Sequence, residues 1–151
     1  ADTLAEKLKA MVGEYIYGYG DQTIEIVIGH LLREKKLTLA MAESCTGGYV
    51  SHLLTTVPGS SDYFKGCVVA YANEVKLKAL QVSENTLKEF GAVSEQTITE
   101  MAQQVRIKLN ADIGVATSGI AGPDGSTDEK PVGTVWIAYS DKEKTVAKKL
   151  Q

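Results

Sequence analysis

A serine, a cysteine and a threonine stand beside two glycines in the stretch Met41–Val50, MAESCTGGYV. Small hydroxyl and thiol groups next to glycine are common in turns. They are also what a nucleophile requires where a backbone must come close to a substrate. An apolar segment precedes this stretch, so we expect a strand to give way to a helix here. Ser44 is the first candidate for a nucleophile, with a helix N-cap as the alternative.

If the strand ends at Ser44, the amides that follow would be free donors in the first turn of a helix. They belong to Cys45, Thr46 and Gly47. Such donors can stabilise an oxyanion, and Gly47 with Gly48 would let a substrate approach the backbone closely. Cys45 is a competing nucleophile, because a helix N-terminus lowers the pKa of a thiol. We rank it below Ser44, since a cysteine there is more often a packed residue.

A serine nucleophile needs a base, and the chain has only two histidines. His30 and His52 fall on predicted helices, away from the end of the strand, which argues against a Ser-His-Asp triad. Lys76 falls at the end of the next strand, in the first turn of a short helix that Asn73 would cap. The helix dipole and partial burial favour a neutral amine there, able to accept the serine proton. The alternative is an exposed lysine, which we expect Lys78 to be.

Two other segments could complete a binding site. Tyr71 could stack on a ring, although strand packing is an equal alternative. The loop Ser118–Gly125, SGIAGPDG, fits neither a Walker A sequence nor G-x-G-x-x-G. Its glycines leave room for a nucleotide-sized ligand beside backbone amides; the alternative is a flexible loop. Asp124, Asp128 and Glu129 could bind a divalent ion, but carboxylates in turns are usually solvated, and we expect neither a metal nor a cofactor.

Alternating elements must position these groups. Strands are predicted at 37–42, 65–72, 112–117, 134–139 and 145–150, and helices at 2–14, 21–34, 46–56, 74–80, 83–91 and 94–110. This order predicts a single α/β domain of three layers, α/β/α, around a mixed, largely parallel sheet. Ligands bind at the carboxyl ends of the strands of such sheets. The segments 43–48, 71–76 and 118–125 all fall at strand ends.

The composition excludes several classes of protein. The 151 residues suffice for one core, with 44% hydrophobic and 23% charged residues. A net charge of −3 gives no general attraction to nucleic acid or to an anionic membrane. No apolar run is long enough to span a bilayer. With two cysteines and no signal-like start, we expect a cytoplasmic protein.

Six motifs stand in a characteristic order: AESCTGG at 42–48, VPGSS at 57–61, VVAYANEVK at 68–76, GAVSE at 91–95, and SGIAGPDG with KPVGTVWIA within 118–138. Together they resemble the C-terminal domain of the CinA (competence/damage-inducible) family over about Leu37 to Tyr139. The resemblance implies an amidohydrolase that converts nicotinamide mononucleotide to nicotinic acid mononucleotide and ammonia. It places the family's serine–lysine dyad on Ser44 and Lys76.

The same resemblance implies the residues that hold the oxyanion and the substrate. They are Cys45, Thr46, Gly47, Gly48, Tyr71, Asn73, Ser118, Gly119, Ile120 and Gly122. We expect a small pyridine nucleotide as the partner, no nucleic acid or membrane, and a homo-oligomer. Two other functions stay open, namely a non-catalytic nucleotide-binding or regulatory domain and a nucleotide phosphohydrolase.

The resemblance also divides the chain. We expect residues 1–36 to be a helical linker towards the N-terminal domain of full-length family members, and residues 37–151 to form the deamidase domain. Family members continue past the last strand into a Gly-Asp-Arg segment and a closing helix. This sequence stops at Gln151, so we expect the domain to be incomplete at its C-terminal end.

Overall fold

The computed structural model describes residues 2–150 and contains one five-stranded sheet. Its strands are β1 (Leu39–Glu43), β2 (Phe64–Val69), β3 (Ile113–Gly119), β4 (Val135–Ser140) and β5 (Thr145–Leu150). The spatial order is β2-β1-β3-β4-β5. β1 lies between β2 and β3 and is parallel to both, whereas β4 and β5 form an antiparallel hairpin. The mixed, largely parallel sheet confirms the predicted fold class.

The described residues also form six α-helices. They are α1 (Asp2–Val12), α2 (Ile24–Lys35), α3 (Tyr49–Thr56), α4 (Asn73–Lys78), α5 (Glu84–Phe90) and α6 (Glu95–Lys108). Short 3-10 turns occur at Gly13–Tyr15 and Ser60–Asp62. None of these helices, within residues 2–150, has the length and apolar character needed to cross a bilayer.

Strand alternation gives the sheet two buried faces. On one face α4, α5 and α6 pack over small side chains such as Ala40, Ala42 and Ala116. On the other face α2 and α3 pack over larger ones, including Leu39 and Met41. The two layers of helices therefore confirm the three-layer architecture. Because α2 and β1 share a core, the boundary expected at residue 37 falls between two elements that pack together.

Helices begin and end where the sequence predicts when the residue that caps them is adjacent to the helix in the sequence. Ser94 caps α6, and its hydroxyl accepts a hydrogen bond from the amide of Thr97. α5 begins after Ser83 and ends before Gly91, as predicted. The apolar stripe expected on α1 is present but exposed; its members are Leu4, Leu8 and Met11.

Three predicted helix starts are wrong. α2 begins at Ile24 and not at residue 21, because Thr23 is its N-cap. α3 begins at Tyr49 and not at Thr46, because the intervening residues form a turn in which Gly47 and Gly48 adopt positive φ angles of 60° and 99°. α4 has Ala72 as its N-cap, so Asn73 is the first helical residue and does not cap it. Lys76 is consequently the fourth residue of α4.

The contact between α6 and β3 yields a test of the fold. A Cβ at Gly114 would overlap the carbonyl oxygen of Ala102 and lie 2.7 Å from Cβ of Arg106. Because both atoms belong to a packed helix, Gly114→Ala must displace α6 from the sheet. We expect the free energy of unfolding, measured by urea denaturation, to fall by about 2–3 kcal/mol.

The matched control is Gly13→Ala, where the nearest atom to a new Cβ is Cγ of Lys9 at 3.8 Å. That variant should differ from the wild type by less than about 1 kcal/mol. Equal losses in the two variants would contradict a close approach of α6 to β3.

Candidate active site

Ser44 lies immediately after β1, and its backbone is held from two sides. Its amide donates to the carbonyl of Thr117 on β3 at 2.9 Å, and its own carbonyl accepts from the amide of Gly47 at 3.1 Å. The residue is buried, with 8% of its surface exposed. The side chain is therefore presented from a fixed backbone at the carboxyl end of a central strand.

Lys76 approaches Ser44 from α4, and its side chain is almost entirely buried at 1% exposure. Nζ lies 3.1 Å from Oγ of Ser44, 2.7 Å from the carbonyl oxygen of Ala70 and 3.1 Å from that of Tyr71. An ammonium group has three donors for these three acceptors. A neutral amine has two donors for the two carbonyls and a lone pair for the serine hydroxyl. Both protonation states are thus satisfied by the same geometry.

The electrostatic surroundings of Lys76 favour loss of its proton. Burial lowers the pKa of the amine from its ordinary value, and the nearby Cys45 opposes that effect only in part. No carboxylate within residues 2–150 forms an ion pair with Lys76. Lys78, two residues further along, is exposed as predicted and pairs with Glu74 at 2.6 Å.

A cleft of about 250 Å³ opens over the serine and the lysine. Seven of the predicted binding residues line it with them: Cys45, Tyr71, Asn73, Ser118, Gly119, Ile120 and Gly122. Ala121, Asp124 and Gly125 of the predicted loop 118–125 also line it, whereas Ala92 and Val93 were not predicted to bind. The ends of three neighbouring strands therefore meet at one cavity. The buried hydroxyl of Ser118 fixes one wall by donating to the carbonyl of Ala92 at 2.9 Å.

The turn after Ser44 differs from the expected first turn of a helix. Thr46, Gly47 and Gly48 do not line the cleft. The amide of Gly47 is used within the turn, and that of Gly48 donates to the carboxylate of Glu43 at 3.0 Å. Within the turn 44–48, only the amides of Cys45 and Thr46 make no hydrogen bond to a backbone group in the described part of the chain. Of these two residues only Cys45 lines the cleft, so its amide is the available donor beside Ser44.

Cys45 is a weak competitor for the role of nucleophile. Its side chain is half-buried at the cleft. Burial raises the pKa of the thiol, with the neighbouring charge of Glu43 acting in the same direction, while backbone amides and Lys76 oppose the shift. At neutral pH the residue is consequently a thiol and not the reactive thiolate.

Glu43 is a buried residue of the site that the sequence analysis did not single out. Its carboxylate has no exposed surface and accepts hydrogen bonds from the amides of Gly48, Val50 and Ser51 at 3.0, 3.2 and 2.7 Å. The hydroxyl of Ser51 donates to it as well. Burial by itself would raise the pKa of this carboxyl, but these bonds, with one from Thr46, hold the value below the ordinary one. An acidic residue closing an apolar strand was the available sequence signal.

Most of the other residues considered for catalysis or metal binding lie outside the cleft. His30 and His52 are exposed, which agrees with the argument against a histidine base. Within residues 2–150 no group of three or more His, Cys, Asp or Glu side chains is arranged to hold a metal ion. Asp124 lines the cleft, whereas Asp128 and Glu129 are exposed residues outside it.

A five-stranded sheet between two layers of helices, with a cleft at the carboxyl ends of its parallel strands, defines a three-layer α/β domain. The chain belongs to the CinA family, whose C-terminal domain matches residues 21–151. It is 57% identical over 141 residues to a CinA-like protein of Amoebophilus asiaticus and 54% identical over 140 residues to one of Cytophaga hutchinsonii. Each alignment covers 93% of this chain and 34% of the relative. The chain thus spans about a third of the length of these curated relatives.

Solved structures of CinA proteins share the fold. The competence/damage inducible protein CihA from Agrobacterium tumefaciens superposes with a TM-score of 0.80 at 37% identity, covering 83% of this chain and 76% of that one. A CinA superfamily protein from Escherichia coli gives a TM-score of 0.81 at 30% identity, with 92% and 84% covered. The resemblance seen in the motifs is therefore confirmed by the whole fold.

The lowered pKa of Lys76 has a consequence for stability. Between the native pKa and the ordinary value of 10.5, the unfolded chain binds more protons at this residue than the native protein does. The free energy of unfolding therefore rises with pH across that interval, by at most about 1.4 kcal/mol per pH unit. At pH values below this interval the native protein bears the full free-energy cost of burying the ammonium group. At pH values above it the amine is neutral in both states, and this cost is absent.

Lys76→Met removes this contribution and keeps a long apolar side chain. We expect the free energy of unfolding of the wild type, minus that of Lys76→Met, to increase as the pH is raised from about 7 to about 10. Urea denaturation at several pH values measures the difference, and other titrating groups cancel in it. A difference that stays flat or falls with pH would show that the native pKa is not lowered.

Proposed function

We propose that this domain is an amidohydrolase that converts nicotinamide mononucleotide to nicotinic acid mononucleotide and ammonia through Ser44 and Lys76. The observation that carries the proposal is the 3.1 Å contact between Nζ of Lys76 and Oγ of Ser44 inside a cleft. A buried lysine with a lowered pKa is a suitable base for a serine hydroxyl. Membership of the CinA family supports the choice of substrate through the resemblance of its motifs.

In the first half of the reaction the neutral amine of Lys76 accepts the proton of Ser44. Oγ attacks the carboxamide carbon, and the carbonyl oxygen becomes an oxyanion. The free amide of Cys45, which lines the cleft, is the donor available to stabilise it. The C–N bond then breaks, and the leaving nitrogen takes the proton from the lysine ammonium and departs as ammonia.

In the second half, water cleaves the resulting ester. The neutral amine of Lys76 accepts a proton from water, the hydroxide oxygen attacks the acyl carbon, and Oγ of Ser44 leaves with the proton restored to it. The carbonyls of Ala70 and Tyr71 keep Nζ in place through both proton transfers, because each protonation state bonds to them. The base returns to its starting state without an additional group.

The cleft walls suit a planar ring with a sugar attached. Tyr71 is 72% exposed at the mouth, where its ring can stack on a pyridine. The glycine-rich loop that follows β3 offers room and backbone groups on the opposite side. Asp124 lines this side and can accept hydrogen bonds from ribose hydroxyls. A volume of about 250 Å³ holds the ring and part of the ribose, with the rest of the ligand towards solvent.

A non-catalytic nucleotide-binding domain is the second candidate function. The cleft residues described here include Asp124 but no cation besides the buried Lys76. The phosphate of a nucleotide thus finds no exposed positive charge among them, so binding in this cleft would depend on contacts to the ring and the ribose. Binding of nicotinamide mononucleotide by calorimetry, with no product formed, would select this function over the amidohydrolase.

The dyad is tested by ammonia release from nicotinamide mononucleotide. Ser44→Ala and Lys76→Ala should each lower kcat by about 10³-fold or more, because the two groups act as one unit. The double variant should be no slower than the worse single variant. Lys78→Ala is the matched control, since Lys78 lies on the same helix but is exposed and paired with Glu74. Retained activity in either dyad variant, or release of phosphate in place of ammonia, would reject the mechanism.

The choice between two adjacent nucleophiles has its own test. Cys45→Ala should keep kcat within about threefold of the wild type, because the half-buried thiol is neither ionised nor hydrogen-bonded to the base. Mass spectrometry of protein quenched during turnover should place the acyl group on Ser44 in both proteins. An acyl group on Cys45, or a loss of activity in Cys45→Ala, would identify Cys45 as the nucleophile.

A further inference from the structure

The end of β1 carries a buried negative charge that no basic side chain neutralises within residues 2–150. Glu43 forms none of the ion pairs in this part of the chain. Its partners are N–H and O–H groups at the start of α3, with Gly48 and Val50 on Oε2 and Ser51 on Oε1. The thiol of Cys67 on β2 also lies 3.8 Å from Oε1. Four N–H and O–H donors and this thiol therefore share one carboxylate, which an ionised side chain with two acceptor oxygens satisfies.

These bonds close the turn that presents the nucleophile. The turn leaves β1 at Glu43 and enters α3 at Tyr49, and the carboxylate joins its first residue to its last. Bonds from the carboxylate to the amides of Gly48 and Ser51 span the segment that contains Ser44. With the ends of the turn fixed, Ser44 and the free amides after it have little freedom to move.

The carboxylate does not itself reach the reacting atoms. Residues alternate between the faces of a strand, and Met41, two residues before Glu43, packs in the core beneath α2 and α3. Glu43 points to that same face, whereas Lys76 comes from α4, which covers the opposite face. The influence of Glu43 on the position of Ser44 therefore passes through the backbone of the turn.

We infer that Glu43 is a positioning residue, which rests on the proposed function: its carboxylate fixes the turn 44–48 so that Oγ of Ser44 stays aligned with Nζ of Lys76. Glu43→Gln has the same shape but replaces one acceptor oxygen by an NH2 group that faces N–H donors. The turn then loses bonds at one of its ends. Displacements of about 1 Å at a reacting group can cost about 10²-fold in rate.

The test measures the reactivity of Ser44 directly. Wild type and Glu43→Gln are treated with a fluorophosphonate, and labelling of Ser44 is followed by mass spectrometry, with the folded fraction of each protein taken from circular dichroism. We expect Glu43→Gln to label between 10-fold and 100-fold more slowly per folded molecule. With nicotinamide mononucleotide as substrate, kcat should fall by a similar factor while KM stays within about twofold.

Two further variants keep the result interpretable. Glu84→Gln is the matched control, because Glu84 is exposed and pairs only with Lys88 at 2.8 Å, and it should label at the wild-type rate. Ser51→Ala removes one donor to Glu43 and leaves its amide bond, so it should slow labelling by about three- to fivefold. It remains decisive if Glu43→Gln fails to fold.

The outcomes separate this inference from the proposed function. Normal labelling per folded molecule in Glu43→Gln and Ser51→Ala, even with lower stability, would reduce Glu43 to a purely structural role and overturn the inference. A wild-type protein that labels at Ser44 but releases no ammonia would reject the amide substrate and leave the inference standing, provided the two variants label slowly. A wild-type Ser44 that does not react at all would overturn both.

Discussion

The site depends on one buried amine held by two backbone carbonyls. The carbonyls of Ala70 and Tyr71 point at Nζ of Lys76 because the chain leaves β2 at Val69 and turns at once into α4. They offset part of the cost of removing the amine from water, but they carry no negative charge. The cost of burying the charged form is therefore only partly recovered, and the pKa of the amine falls. A carboxylate in the same place would have kept the lysine protonated.

Much of the fold follows from local signals in the sequence. The capping of α6 by Ser94 and the end of α5 before Gly91 depend on neighbours within a few residues, and both predictions hold. The start of α3 could not be read in the same way. Ser44 has the residue type of an N-cap, yet the group that serves the first amides is the carboxylate of Glu43, on the other side of a turn made by two glycines of positive φ. When a residue of the preceding strand caps a helix, the residues at the start of that helix carry no capping pattern.

The site could be predicted only in part, because some of its contacts join residues that are far apart in the sequence. Three strand ends were expected at one edge of the sheet, and the structure brings residues from all of them to one cleft. The sequence indicates Lys76 as the partner of Ser44 because the two histidines are poorly placed and because the motifs resemble those of a known family. The spacing of the two residues alone does not indicate it. The wall formed by Ala92 and Val93 was not foreseen, because it reaches the cleft through the bond from Ser118 to Ala92, between residues 26 positions apart. Backbone acceptors such as those of Lys76 have no residue type to reveal them.

The sheet also keeps a buried carboxylate and a buried amine apart. Glu43 and Ser44 are adjacent in sequence, but the carboxylate lies on the face covered by α3, while the hydroxyl meets an amine from the face covered by α4. Each charged group is satisfied by dipoles of its own layer, so neither needs the other. A direct ion pair would stabilise both charges and raise the pKa of the lysine. The carboxylate of Glu43 lies where it can order the turn but cannot pair with Lys76. The end of β1 therefore supports both the geometry of the site and the basicity of the lysine.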